Sequence, residues 1–193
     1  MESSKKSALI IIDAQQGIQE EMHWGGNRNN PQAENNIRLL LQHWRALSLP
    51  VIIVQHHSLS PKSPFRPDYV GNKLMDFVQV MPGEKWIQKS TASAFIKTDL
   101  NEYIEKEGIS KLVITGFVTN NSVESTARNA GDLGIEAVVI SDATACFDKA
   151  ASNGIKYESD TVHQLSLANL KDEYALIMTT EEIIHSLNLQ STI

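Results

Sequence analysis

The chain has 193 residues, 41% apolar and 21% charged, and its 17 Lys and Arg against 23 Asp and Glu give a formal charge of −6. This composition excludes a disordered tail and a coiled coil, and the acidic balance argues against a nucleic-acid partner. At roughly 150 residues per domain the length predicts one domain over 1–193.

In chain order, the first apolar run is 8–12, read as a buried strand. It is too short for a signal-peptide core, and no run nears the roughly 18 residues that span a bilayer. A cytoplasmic protein without a membrane partner is therefore expected. Residues 35–47 follow with Ile37, Leu40, Leu41, Trp44 and Leu47 at helical spacing. A second strand is expected at 51–54. Residues 58–85, with Pro61, Pro64, Pro67 and Pro82, read as a long irregular excursion, and long loops in compact domains are usually functional. A short helix is expected at 100–107, a strand at 111–115, and a helix at 122–133 stopping at Gly134. A strand at 137–141, a helix at 161–170 and a strand at 175–178 complete the series. The alternation predicts an α/β fold: a doubly wound, mainly parallel sheet of five to six strands with helices on both faces.

In such sheets ligands bind beyond the carboxyl ends of the strands. Asp13, Gln15 and Gln16 follow the first strand, and Gln55, His56 and His57 the second. The third strand leads into Gly116-Phe117-Val118-Thr119-Asn120-Asn121-Ser122 and then a helix. Trp86-Ile87-Gln88-Lys89 ends the excursion. Singly, each has a plain account. Asp13 serves as a turn residue, Lys89 as a surface lysine, Ser122 as a helix N-cap, and Glu124 with Arg128 as a helix-face ion pair. Cys146, the lone cysteine, excludes a disulfide framework and a Cys-rich zinc site, and reads as a small buried apolar residue.

Together these segments resemble the isochorismatase-like cysteine hydrolases. The resemblance lies in Ala8-Leu9-Ile10-Ile11-Ile12-Asp13-Ala14-Gln15, in Gly83-Glu84-Lys85-Trp86-Ile87-Gln88-Lys89, and in Gly116-Phe117-Val118-Thr119-Asn120-Asn121-Ser122-Val123-Glu124-Ser125-Thr126-Ala127-Arg128. Ser141-Asp142-Ala143-Thr144-Ala145 and His163-Gln164-Leu165-Ser166-Leu167-Ala168-Asn169-Leu170 extend it, so that it spans about residues 8 to 184. It implies a catalytic triad of Asp, Lys and Cys: Asp13, Lys89 and, at the nucleophile position, Ser122 in place of the family's cysteine. It implies acyl transfer on a small amide, with Asp13 as general base and Lys89 stabilising negative charge. It also implies an oxyanion hole at Val118, Thr119 and Ser122, shaped by a cis Val118–Thr119 peptide. The expected pocket residues are Gln15, His56, Phe65, Trp86 and Phe117, with Trp24 as a further wall candidate.

A serine hydroxyl is a far weaker acid than a thiol and requires a strong adjacent base. A carboxylate is a poor one, and a neutral Lys89 is opposed by the carboxylate beside it. Low amidase activity by the usual route follows. The alternatives are a vinyl-ether hydrolase that requires no covalent nucleophile, and a non-catalytic protein that binds a small ligand.

Some relatives, the nicotinamidases, hold a metal with an Asp and spaced histidines. Adjacent His56 and His57 point to opposite faces of an extended segment, so no metal is expected. No Gly-x-Gly-x-x-Gly or phosphate loop follows the first strand, so no cofactor is expected. The expected partners are a small-molecule substrate and, by the resemblance, further copies of the chain in a dimer or tetramer.

Overall fold

The structure, a computed structural model, describes residues 6–190. The first five residues of the segment read above for a signal peptide lie outside them. Among the described residues no helix is long and apolar enough to cross a membrane.

Six strands form one parallel sheet in the order β3-β2-β1-β4-β5-β8. They are β1 (Lys6–Ile12), β2 (Val51–His56), β3 (Lys85–Lys89), β4 (Ile109–Phe117), β5 (Glu136–Ala145) and β8 (Leu176–Met178). A two-stranded ribbon, β6 (Lys149–Ala150) with β7 (Lys156–Tyr157), stands apart from the sheet. The inner strands are continuous Val and Ile runs because both their faces are covered.

The helices are α1 (Glu21–Trp24), α2 (Ala33–Ala46), α3 (Leu100–Glu107), α4 (Glu124–Asp132), α5 (Ser159–Leu170) and α6 (Thr180–Gln190). On one face, Ile37, Leu41 and Trp44 of α2 and Ile183 of α6 pack with Leu9, Ile11, Ile53 and Val113. On the other, Leu100 of α3, Ala127 of α4 and Leu167 of α5 pack with Ile10, Ile12, Val54 and Ile114. The chain thus leaves β1 toward one face and β4 toward the other. Such a divergence opens a crevice at the carboxyl ends of the two strands.

Three expectations need revision. The end of the excursion is a strand, β3, at the sheet edge. The 122–133 helix starts at Glu124, and Ser122 lies in the single π-helical turn Thr119–Val123 that precedes it, not at an N-cap. The helix α6, which the periodicity reading lacks, follows the last strand.

Candidate active site

Asp13 directly follows β1, in a left-handed conformation (φ 52°) that Asp tolerates better than most residues. Its backbone N–H donates to Val54 O at 3.0 Å, which ties it to β2. Lys89 ends β3 in register with His56 at the end of β2. Ser122 comes from the turn after β4. The sheet order therefore brings three strand ends to one crevice.

Lys89 joins them. Its Nζ donates to Asp13 Oδ2 at 2.8 Å, to Ser122 Oγ at 3.2 Å and to Thr91 O at 3.1 Å. His56 Nδ1 lies 3.4 Å from the same nitrogen. The Lys89 side chain is 0% exposed and that of Asp13 3%, so this is a fully buried ion pair. Asp13 Oδ1 is buried without a hydrogen-bond partner. No direct hydrogen bond joins Ser122 Oγ to Asp13 among the described residues. His56 has its pKa held below the ordinary imidazole value. Burial is the main cause, and the Lys89 charge acts the same way against an opposing pull from Asp13. Facing an ammonium, Nδ1 is the acceptor nitrogen of a neutral ring.

Asp13, His56 and Ser122 border a cavity of about 180 Å³, walled by Trp24, Phe65 and Phe117. Two larger surface hollows, of about 490 and 580 Å³, contain none of these polar residues, so the smaller space is the candidate site. Trp24 and Phe65 have ring centroids 4.9 Å apart, and Trp24 Nε1 donates to Gly17 O at 2.8 Å.

Two expected pocket residues lie elsewhere. Trp86 is 49% exposed and does not border the cavity. Side chains alternate along a strand, so Trp86, three residues before Lys89, points to the opposite face. Gln15 is fully buried behind the cavity. Its Oε1 accepts from His56 N at 2.7 Å, and its Nε2 donates to His56 O at 3.0 Å and Asn72 O at 2.8 Å. Asn72 in turn donates from Nδ2 to His56 O at 2.9 Å and Phe65 O at 2.5 Å. These two amides fasten one wall of the cavity to the sheet. The cis peptide lies at Phe117–Val118, one bond earlier than expected.

The turn carrying Ser122 is held from several sides. Val118 O accepts from Asn121 N at 3.0 Å and Val123 N at 3.3 Å. Thr126 Oγ1 donates to Ser122 O at 2.7 Å and accepts from Ala94 N at 3.0 Å. Glu124 and Arg128 form the expected i, i+4 pair at 2.6 Å, and Glu124 also accepts from Ser166 Oγ at 2.6 Å. His163 Nδ1 lies 3.0 Å from Thr119 Oγ1. Asn72, Thr126 and Ser166 carry no local sequence signal, because their partners are distant in the chain or are backbone atoms.

The rings of His56 and His57 have different neighbours, Lys89 Nζ for the first and Gln88 Nε2 for the second. Among the described residues no group of three His, Cys, Asp or Glu is placed to hold a metal ion. Cys146 is buried, and burial pushes its thiol up to about 12, which suits a packing role.

A six-stranded parallel sheet covered by helices, with a buried Lys–Asp pair beside a hydroxyl at its strand ends, has the architecture of an α/β enzyme. The isochorismatase domain model matches residues 7–182, and the chain belongs to the isochorismatase family of hydrolases. It is 41% identical over 181 residues to the isochorismatase family protein YrdC of Bacillus subtilis, covering 94% of this chain and 96% of that protein. A crystal structure of a hydrolase of the family from Chromobacterium violaceum superposes with a TM-score of 0.89 at 40% identity, covering 97% of this chain and 96% of that one. Nicotinamidase 3 of Arabidopsis thaliana is 27% identical over 201 residues, with 96% and 90% covered.

Proposed function

We propose that the chain hydrolyses a small amide, with Asp13, Lys89 and Ser122 as its catalytic group. The observation that carries this reading is the bridge through Lys89. One buried cation is within hydrogen-bond reach of a carboxylate and of a hydroxyl that borders a ligand-sized space. A relative that is an amidase by name supports the bond type.

In this reading Ser122 Oγ attacks the amide carbon as its proton passes to Asp13. Oδ2 is held by Lys89, so the partnerless Oδ1 is the oxygen that takes the proton. The C–N bond then breaks as Asp13 protonates the leaving nitrogen, and ammonia departs. Water adds to the resulting ester with Asp13 again as base, which frees the acid and restores Ser122. Ser122 and Asp13 close to hydrogen-bond distance when substrate fills the cavity, as catalytic contacts commonly tighten on binding. Backbone N–H groups of Val118, Thr119 and Ser122 stabilise the oxyanion. The weak acidity of serine makes this route slow.

A second reading is favoured by the partnerless Asp13 Oδ1 beside so weak a nucleophile. In it, Asp13 acts as an acid that protonates a vinyl ether, and water completes the hydrolysis without a covalent intermediate.

Ammonia release from a panel of small amides, nicotinamide included, tests the first reading on this chain and on Ser122→Cys and Ser122→Ala. Faster release by Ser122→Cys, with Ser122→Ala silent, supports it. Silence from all three across the panel overturns it and directs the assay to vinyl ethers.

A further inference from the structure

The cavity beside Asp13 and Ser122 measures about 180 Å³, below the roughly 300–1,000 Å³ of drug-sized ligand sites. Part of its wall is aromatic, from Trp24, Phe65 and Phe117, and part is hydroxyl-bearing, from Ser58, Ser63 and Ser90. Its charge inventory is unusually simple. Among the described residues Asp13 is the only acid lining it, and no Lys or Arg does.

The charges recorded against its lining have partners, Arg66 included, which donates to Ser63 O at 3.2 Å and pairs with Asp68 at 3.2 Å. Asp13 is matched by Lys89, whose side chain is fully covered. Arg28 approaches Phe117 to 5.5 Å from the ring centroid. Its guanidinium, however, is held by Glu34 at 2.5 Å and borders a different hollow. His56 faces Lys89 and is neutral around pH 7, since burial lowers its pKa. An anionic ligand that fits this space would therefore leave its charge without a counter-ion, beside the Asp13 carboxylate and against aromatic walls. Burying an unpaired charge is strongly unfavourable.

From this lining we infer that the site selects against anionic amides, those that carry a carboxylate or phosphate group. The bond type rests on the amidase reading above, whereas the selection against charge rests on the lining alone. Ser58, half-buried and hydrogen-bonded through its backbone N–H to Phe65 O at 3.0 Å, is the position at which a single substitution would change the selection.

Three probes of similar shape test it: benzamide, 4-carbamoylbenzoate and 4-(aminomethyl)benzamide. Their affinities for the Ser122→Ala protein are measured by calorimetry. The expected result is 4-carbamoylbenzoate binding at least about tenfold more weakly than benzamide and than 4-(aminomethyl)benzamide, the charged probe of matching size. Equal or tighter binding of 4-carbamoylbenzoate, or no binding by any of them, overturns the inference. The Ser58→Arg protein supplies a gain-of-function arm. Its guanidinium should narrow or reverse the deficit of 4-carbamoylbenzoate and weaken the ammonium probe. An unchanged order there counts against the inference.

Ammonia release from the same probes by Ser122→Cys separates the two claims. A preference for benzamide in binding without ammonia release overturns the amidase reading and leaves the charge selection standing. Release from 4-carbamoylbenzoate as fast as from benzamide overturns the charge selection and leaves the amidase reading standing.

Discussion

Ile12 and Gly116 lie side by side in register on β1 and β4, and a Cβ built on Gly116 would fall 2.0 Å from Ile12 O. Gly116 also has φ +114°, a conformation that residues with side chains rarely adopt. Asp13 follows Ile12 directly, and Phe117 with the Ser122 turn follows Gly116. The absence of one side chain therefore sets how closely the two halves of the candidate site approach. Gly116→Ala should destabilise the fold by roughly 3 kcal/mol or more. Urea denaturation checks it, and a loss under about 1 kcal/mol would show that the strands separate easily.

The Lys89–Asp13 pair makes a second prediction. Removal of one partner of a buried pair strands the other, at roughly 3–5 kcal/mol. Lys89→Met should show that loss in denaturant. Lys89→Met combined with Asp13→Asn should recover part of it, because no charge is then left buried. If the two losses simply add, the pair is not the unit described here.

Acid should weaken the protein through two histidines. Both His56 and His163 have pKa values lowered chiefly by burial. A base with a lowered folded-state pKa binds a proton in the unfolded chain before it does so in the native one. Stability is then complete above the ordinary histidine value near 6.5 and falls as pH drops toward the folded values. Denaturation midpoints between about pH 7 and pH 5 should decline, and His56→Gln with His163→Gln should flatten that slope. An unaltered slope in the double variant would assign the decline to other groups.

Phe65 and Trp86 were both expected at the cavity, yet they differ sharply in burial, at 4% and 49% exposed. Phe65→Ala should cost roughly 3–5 kcal/mol. Trp86→Ala should change stability by no more than about 0.5 kcal/mol and leave any hydrolytic rate unchanged. A large rate effect at Trp86 would restore it to the site.

The inner strands were legible because Val and Ile runs such as Ile10-Ile11-Ile12 have no polar face to hide. Strand β3 was not, because it is short, alternates buried and exposed residues, and emerges from an aperiodic loop. For α6 the readable signal is its N-terminus rather than its period. Thr179 and Glu182 form a capping box, with Thr179 N donating to Glu182 Oε2 at 2.7 Å and Glu182 N to Thr179 Oγ1 at 3.3 Å. Asp13 and Ser122 could be anticipated from the legible strands they follow, whereas Lys89 was identified through the family resemblance of its segment. The Gln15–Asn72 contact could not, because it closes a separation of 57 residues with no local pattern.

That contact divides the labour of the molecule. Asp13 and Lys89 are set by the sheet itself and Ser122 by the turn after β4, whereas Phe65 and its neighbours hang on a loop fastened by the amides of Gln15 and Asn72. The loop can exchange side chains between its fastenings while Asp13, Lys89 and Ser122 stay in place. Descendants of one ancestral chain could thus come to accept different molecules while keeping the same chemistry.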